Sequence, residues 1–297
     1  KAGKWSGFGV EPDSPVDHSL PVLHVRNARG GLIAVLATYA CHCTTTGGDM
    51  NKIHGDWAGY AQTELEARHP GALAMISIGC GADSNPNPRG ELAMARQYGA
   101  DVADEVDRLL GQPVTVLQHA PSGVYHTIEI AFDPAPPREE WQKRVNAGGR
   151  DSRFAKAMLT RIDAGELLPD SLPYPIQTWT FGPDLAMVFL GGEVVVDHAI
   201  GLRRKLDSNR LWIHAYSNDV PCYIASRRLY GEGGYEVDGS MTYYGKPNRL
   251  AIDTEDRIAN EVTRRLSPCF SSGAATRTPQ QPRTETPSAP VQGPLTR

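Results

Sequence analysis

The sequence predicts an α/β domain, a mixed β-sheet layered with helices, followed by a disordered C-terminal tail. Short apolar, β-branched runs alternate along the chain with longer stretches of helical spacing. Two pairs of strand-like runs lie close enough to form hairpins, while strand–helix–strand successions call for parallel neighbours. Over 297 residues the composition is 40% hydrophobic and 22% charged, enough apolar material for a sizeable core without covalent staples.

Residues 20–26 and 31–40 are β-rich and flank the turn signal Asn27-Ala28-Arg29-Gly30, so a hairpin is expected. A helix over 57–68 follows, with Asp56 placed as its N-cap. Residues 72–78 read as a short buried strand that ends at Gly79 and Gly81. The longest helix, 91–110, carries Ala95, Val102, Val106 and Leu109 on one face. Strands over 114–119 and 124–132 lead to Pro134, Pro136 and Pro137, which open helices over 138–147 and 154–164. Runs 176–181 and 185–190 form a hairpin through Gly182-Pro183-Asp184. A helix over 193–206, a strand over 211–216 and a helix over 255–266 complete the series. From Cys269 to the end the chain is rich in Ser, Thr, Pro, Gln and Gly. That composition cannot offset its ordering entropy, so a domain of residues 1–268 and a tail of 269–297 are expected.

A net charge of −4 and the lack of any basic stripe argue against a nucleic-acid partner. The longest apolar runs are strand-sized, so no integral membrane segment is expected. The chain begins at Lys1 without a charged-then-apolar leader, which reads as a processed or truncated product. Five cysteines are too few and too irregular for a disulfide framework.

Polar residues gather in four loops at strand ends, where ligands of α/β sheets bind. The first is Ala40-Cys41-His42-Cys43-Thr44-Thr45-Thr46, in which an apolar strand delivers His42. A lone histidine there is more often a satisfied buried side chain than a ligand. Cys41 and Cys43 lack a second pair at zinc-ribbon spacing, which favours small buried cysteines over a thiolate site. The second, Gly79-Cys80-Gly81-Ala82-Asp83-Ser84-Asn85-Pro86, reads as a structural turn, and no Gly-x-Ser-x-Gly elbow surrounds Ser84. In the third, Gly191-Gly192-Glu193, the carboxylate is equally a helix cap or an inward-facing metal ligand. The fourth runs from Tyr216 through Tyr223 to Tyr235-Glu236, where tyrosines usually pack with one satisfied hydroxyl.

In this order the loops resemble the neutral/alkaline ceramidases, zinc amidohydrolases that cleave the N-acyl bond of sphingolipids. The likeness runs from Val22 to Leu266. His42 followed by Gly55-Asp56-Trp57-Ala58-Gly59-Tyr60 is similar to the family's histidine and its Ser/Gly-Asp-x-x-Gly-Tyr segment. Gly192-Glu193 matches the Gly-Glu ligand, Tyr223-Ile224-Ala225-Ser226 the Tyr-Ile/Val-Thr-Thr loop, and Tyr235-Glu236 the Tyr-Glu pair of the catalytic pocket. The resemblance implies Zn2+ held by His42, Glu193 and Tyr223, a small-molecule or lipid amide as substrate, a role in sphingolipid metabolism, and a secreted or periplasmic location. It departs in two places. The family's upstream His-x-His segment has no match before His42, where only His18 and His24 occur. In the family's Asn-x-Gly-Asp/Asn-x-Ser-Pro-Asn loop the serine's place is taken by Asn85, with Ser84 one residue early.

The expected chemistry is hydrolysis of an N-acyl amide by metal-activated water, a route that does not need the serine. Tyr235 is expected to donate to the developing oxyanion, with Asn85 as a second donor. Asp56 is weighed as a residue that orients His42, with capping its other task. Two other readings stand beside this one: a non-catalytic binding domain on the same fold, and an esterase or acyltransferase pairing Ser84 with a histidine such as His214.

Overall fold

Asn27 turns the chain between its first two strands: its side-chain oxygen accepts hydrogen bonds from the amides of Arg29 and Gly31, at 2.9 and 3.0 Å. The hairpin forms as expected from β1 (Val22–Arg26) and β2 (Leu32–Tyr39). This is a computed structural model, and it describes residues 9–48, 50–149 and 151–272. Helix α1 (Asp56–Arg68) carries the chain over to β3 (Leu73–Ile78), which lies parallel to β2. Helix α2 (Leu92–Leu110) packs along α1, and Val35, Ala37, Leu65, Ala74, Ala103 and Val106 close a small core between these helices and the three strands. β3 is not the buried strand the sequence suggests. It lies at the edge of the sheet, and Leu73 and Met75 are 56% and 41% exposed on its outer face.

A second sheet has the order β4-β5-β6-β8, from β4 (Ser122–Ala131), β5 (Ser171–Phe181), β6 (Leu185–Leu190) and β8 (Leu211–His214). Its first two pairings are antiparallel and the last is parallel, so the mixed character read from the sequence is present. β6 pairs with β5 only from Ile176 onward. Pro173 and Pro175 therefore occupy a stretch whose β6 side has no ladder, where a missing N–H is tolerated. The largest core lies on this sheet, where Ile130, Tyr174, Ile176 and Val188 meet α5 (Val196–Lys205) and α6 (Thr254–Arg265). Between β4 and β5, α3 (Arg138–Ala147) and α4 (Ser152–Asp163) form a helical hairpin around its own cluster of Trp141, Ala155, Met158 and Leu159.

Two further expectations fail, and the packed chain extends slightly beyond the expected boundary. Residues 114–119 form no strand; Val114 and Val116 are 52% and 65% exposed, so the run has no face to bury. The helix expected from Glu193 starts three residues later, because Glu193–Val194 is a two-residue strand, β7, in the β-branched run Val194-Val195-Val196. It pairs in parallel with β9 (Tyr223–Ile224), and Asp83 from another loop accepts the amide of Val196 at 3.0 Å, so Asp83 and not Glu193 caps the helix. Finally, the folded chain runs past Pro268. Phe270 is fully buried, its carbonyl accepts the Asp207 amide at 2.7 Å, and Arg210 lies over its ring. The rest of the expected tail, 273–297, lies outside the described residues. Among the described residues no helix is long and apolar enough to cross a membrane.

Candidate functional site

The two sheets meet end to end: the Ala215 amide donates to the Ile78 carbonyl at 2.9 Å, and the loops that follow β2, β3, β6 and β8 face one another there. The chain is stitched tightly at this junction. Gly192 accepts the Tyr216 amide at 3.0 Å, and the Glu193 amide donates to the Cys222 carbonyl at 3.0 Å. Gly192 has φ +80°, and a Cβ on it would lie 2.7 Å from the Cys222 carbonyl oxygen. A Cβ on Gly81 would lie 2.3 Å from the Ala40 carbonyl carbon, so glycine is needed where the β3 loop crosses the end of β2.

His42 is fixed from three sides. Its amide donates to the Ser84 carbonyl at 2.9 Å, its carbonyl accepts the Trp57 indole N–H at 2.9 Å, and Nε2 lies 2.8 Å from the Ala82 carbonyl. A carbonyl only accepts, so Nε2 carries the ring proton and Nδ1 is an acceptor. β7 and β9 set Glu193 opposite Tyr223 in register. Glu193 Oε2 then lies 3.8 Å from His42 Nε2, and the Tyr223 hydroxyl 3.4 Å from the same nitrogen. The three residues singled out as metal ligands in the sequence are thus brought together.

Two phenols to which the sequence assigns no role complete the cluster. Tyr216 Oη is 3.2 Å from His42 Nδ1 and 3.2 Å from Glu193 Oε2, and Tyr244 Oη donates to Glu193 Oε1. Tyr223 also hydrogen-bonds Glu193, and burial followed by the Glu193 charge pushes its phenol well above the ordinary range. Burial and then Glu193 push Tyr216 the same way, and burial and the Glu193 hydrogen bond do so for Tyr244. One local signal marks Tyr216: φ is +53°, a conformation unusual for a bulky residue and found where function constrains the backbone. Tyr244 carries no such mark.

Glu193 has a side chain only 13% exposed, and among the described residues its one ion-pair partner is His42. The phenols offset part of the cost of sheltering a carboxylate without Lys or Arg, and a cation would offset more. Tetrahedral zinc at bond lengths of about 2.0–2.1 Å sets its donors roughly 3.3 Å apart. The 3.4 and 3.8 Å separations are close to that spacing, so His42, Glu193 and Tyr223 could hold a zinc ion once Nε2 gives up the Ala82 carbonyl. Among the described residues no group of three or more His, Cys, Asp and Glu side chains forms a metal cluster, because the remaining donors here are phenols.

Tyr235 opens a π-helical turn and sets its ring edge-on to Tyr223, centroids 5.3 Å apart. Asn85 is exposed. Its side-chain oxygen accepts from Thr44 Oγ1 at 2.7 Å and from Arg89 at 3.1 Å, which leaves its amide N–H groups on the opposite edge. Asp56 does not orient the imidazole. Its carboxylate accepts from the Thr45 hydroxyl at 2.5 Å and the Trp57 amide at 2.8 Å, so it acts on the loop and the helix start, and His42 is steadied by the Trp57 indole. Cys41 is half-buried and Cys43 exposed, so neither is the small buried cysteine expected. His214 is buried with Nδ1 3.0 Å from Ser77 Oγ and 3.4 Å from Thr38 Oγ1, and its ring stacks on Phe189. It is not paired with Ser84.

No protein-family model and no curated protein matches the chain. Among solved structures it is similar to the neutral ceramidase from Pseudomonas aeruginosa, with TM-score 0.59 and 17% identity over 84% of this chain and 47% of that one. A ceramidase complexed with C2 gives TM-score 0.59 and 16% identity over 84% and 48%. The chain spans about half the length of these structures. Over most of its length it therefore has the fold of the ceramidases to which it is similar.

Proposed function

We propose that the chain is a zinc-dependent amidohydrolase acting on an N-acyl bond, a reading supported by the fold it shares with ceramidases. One observation carries the reading: a sheltered carboxylate without Lys or Arg meets an imidazole and a phenol at donor spacing. His42, Glu193 and Tyr223 would hold the metal. Zinc bound there supplies Lewis acidity toward water and toward the amide carbonyl. The Trp57 indole on the His42 carbonyl and the His42 amide on the Ser84 carbonyl keep the residue in place before substrate arrives. Tyr235, edge-on to Tyr223, donates to the oxygen that gains charge, and the Asn85 amide is the second donor. A donor of this kind is typically worth about 3 kcal/mol of barrier. A lipid amide such as ceramide is the first substrate to test, and a secreted or periplasmic site of action accompanies it.

The test is made on the full-length polypeptide. Wild-type protein is expected to retain one zinc per chain and to release fatty acid from an N-acyl substrate in a chelator-sensitive way; Glu193→Ala loses both. Full activity in metal-free protein overturns the reading. The second reading, ligand binding without catalysis, is favoured by Asn85 at the place of the family's serine. Stoichiometric zinc without hydrolysis of any N-acyl lipid, N-acyl amino acid or N-acetyl sugar decides for it.

A further inference from the structure

We propose that Tyr216 is the positioning residue that couples His42 to Glu193, through a hydroxyl shared between the imidazole Nδ1 and the carboxylate Oε2. The inference rests on the metal reading above and adds a residue which that reading does not use. The phenol oxygen is 3.2 Å from each neighbour and has one proton to give. Glu193 Oε2 can only accept, so the phenol gives its proton there and turns its oxygen toward Nδ1. For Nε2 to meet a cation its proton must leave and its bond to the Ala82 carbonyl must open. In the neutral ring that proton moves to Nδ1, which then donates to the Tyr216 oxygen, while the hydroxyl keeps its proton on Glu193 Oε2. The ring keeps one proton throughout, and the phenol keeps its own. The Tyr216 oxygen thus accepts a hydrogen bond only in the tautomer whose Nε2 is open to a metal, and it favours that tautomer.

The backbone supports this assignment independently. Tyr216 has φ +53°, and its amide is held by the Gly192 carbonyl at 3.0 Å, one residue before Glu193. A bulky residue in that conformation strains the chain by about 1–3 kcal/mol. The same turn directs the phenol between two side chains that come from different sheets.

The test uses the full-length protein, with nitrogen-15 NMR of the His42 ring and zinc affinity from chelator competition. In metal-free wild-type protein Nε2 is expected to be protonated; with zinc bound, Nδ1 is protonated and hydrogen-bonded to the Tyr216 oxygen. Tyr216→Phe moves the zinc-bound Nδ1 signal toward that of an N–H without an acceptor and weakens zinc binding about 10–100-fold. Tyr125→Phe, on the exposed face of β4, changes neither. Wild-type zinc binding that Tyr216→Phe leaves unmoved overturns the inference and spares the metal reading. Wild-type protein that binds no zinc, but whose Nδ1 signal moves in Tyr216→Phe, overturns the metal reading and leaves the bridge standing. Should Tyr216→Phe fail to fold, the zinc-bound wild-type spectrum decides: an Nδ1–H without a hydrogen-bond acceptor overturns the inference.

Discussion

Replacing Asp83 with Asn is expected to stabilise the protein at neutral pH and to do almost nothing in acid. Asp83 lies under the site, where its Oδ1 accepts the Val196 amide at 3.0 Å and Oδ2 stands 4.0 Å from Arg228. Burial, and then the carboxylates of Asp197 and Glu236, lift its carboxyl from 3.8 to about 6 against the pull of the Val196 hydrogen bond. The folded chain therefore holds a proton that the unfolded chain has released, over the window from about pH 4 to about 6. The stability linked to this group is fully present below about pH 3.8 and is lost as pH rises through 6. At pH 7.5 the ionised carboxylate opposes folding by about 3 kcal/mol. Asn keeps the acceptor for Val196 and removes the charge, while forfeiting a weak attraction to Arg228 worth up to about 1 kcal/mol. The net gain is about 2 kcal/mol, or roughly 4–8 °C in Tm for a chain of this size. Thermal unfolding of both proteins from pH 4 to pH 8 measures it. A Tm difference that is the same at pH 4 and pH 7.5, or a loss at pH 7.5, refutes the reasoning.

Two further substitutions probe the frame of the site. Gly192→Ala forces a side chain onto φ +80° and against the Cys222 carbonyl, so a loss of about 3 kcal/mol is expected in urea unfolding, together with weakened zinc retention. Phe270→Ala leaves a void beside Leu206 and Arg210 and is expected to lower stability by about 3–5 kcal/mol; a change under about 0.5 kcal/mol in urea unfolding shows that the core ends before this residue.

The sequence was informative where periodicity and side-chain chemistry agree. Helices α1, α2 and α3 fall within a residue or two of the expected positions: α2 carries an apolar stripe interrupted by charged residues, and Asp56 and Pro137 mark where α1 and α3 begin. The β1–β2 hairpin was legible through Asn27 and Gly30, which have few uses other than a turn. Ladder β7–β9 was not, since a two-residue strand has no period to detect. That gap misplaced Glu193 at a helix start, although the order of the motifs singled it out as a candidate. Tyr244 was illegible for a different reason. It shares the pair Tyr243-Tyr244 with an exposed neighbour, and only the fold decides which of the two faces Glu193. Phe270 was hidden by averaging, one large apolar residue in a stretch whose composition is otherwise that of a tail.

The short ladder between β7 and β9 makes the separation of Glu193 and Tyr223 a property of the main chain. Amide-to-carbonyl pairing is indifferent to which side chains stand on it, so the two positions stay opposed while their neighbours are exchanged. They act as a socket of fixed pitch, in which either side chain can be exchanged without resetting the distance between the two strands. A carboxylate replaced by an imidazole at Glu193 would still project from the strand directly beside Tyr223. The fold thus separates the choice of side chain from the geometry of the pair.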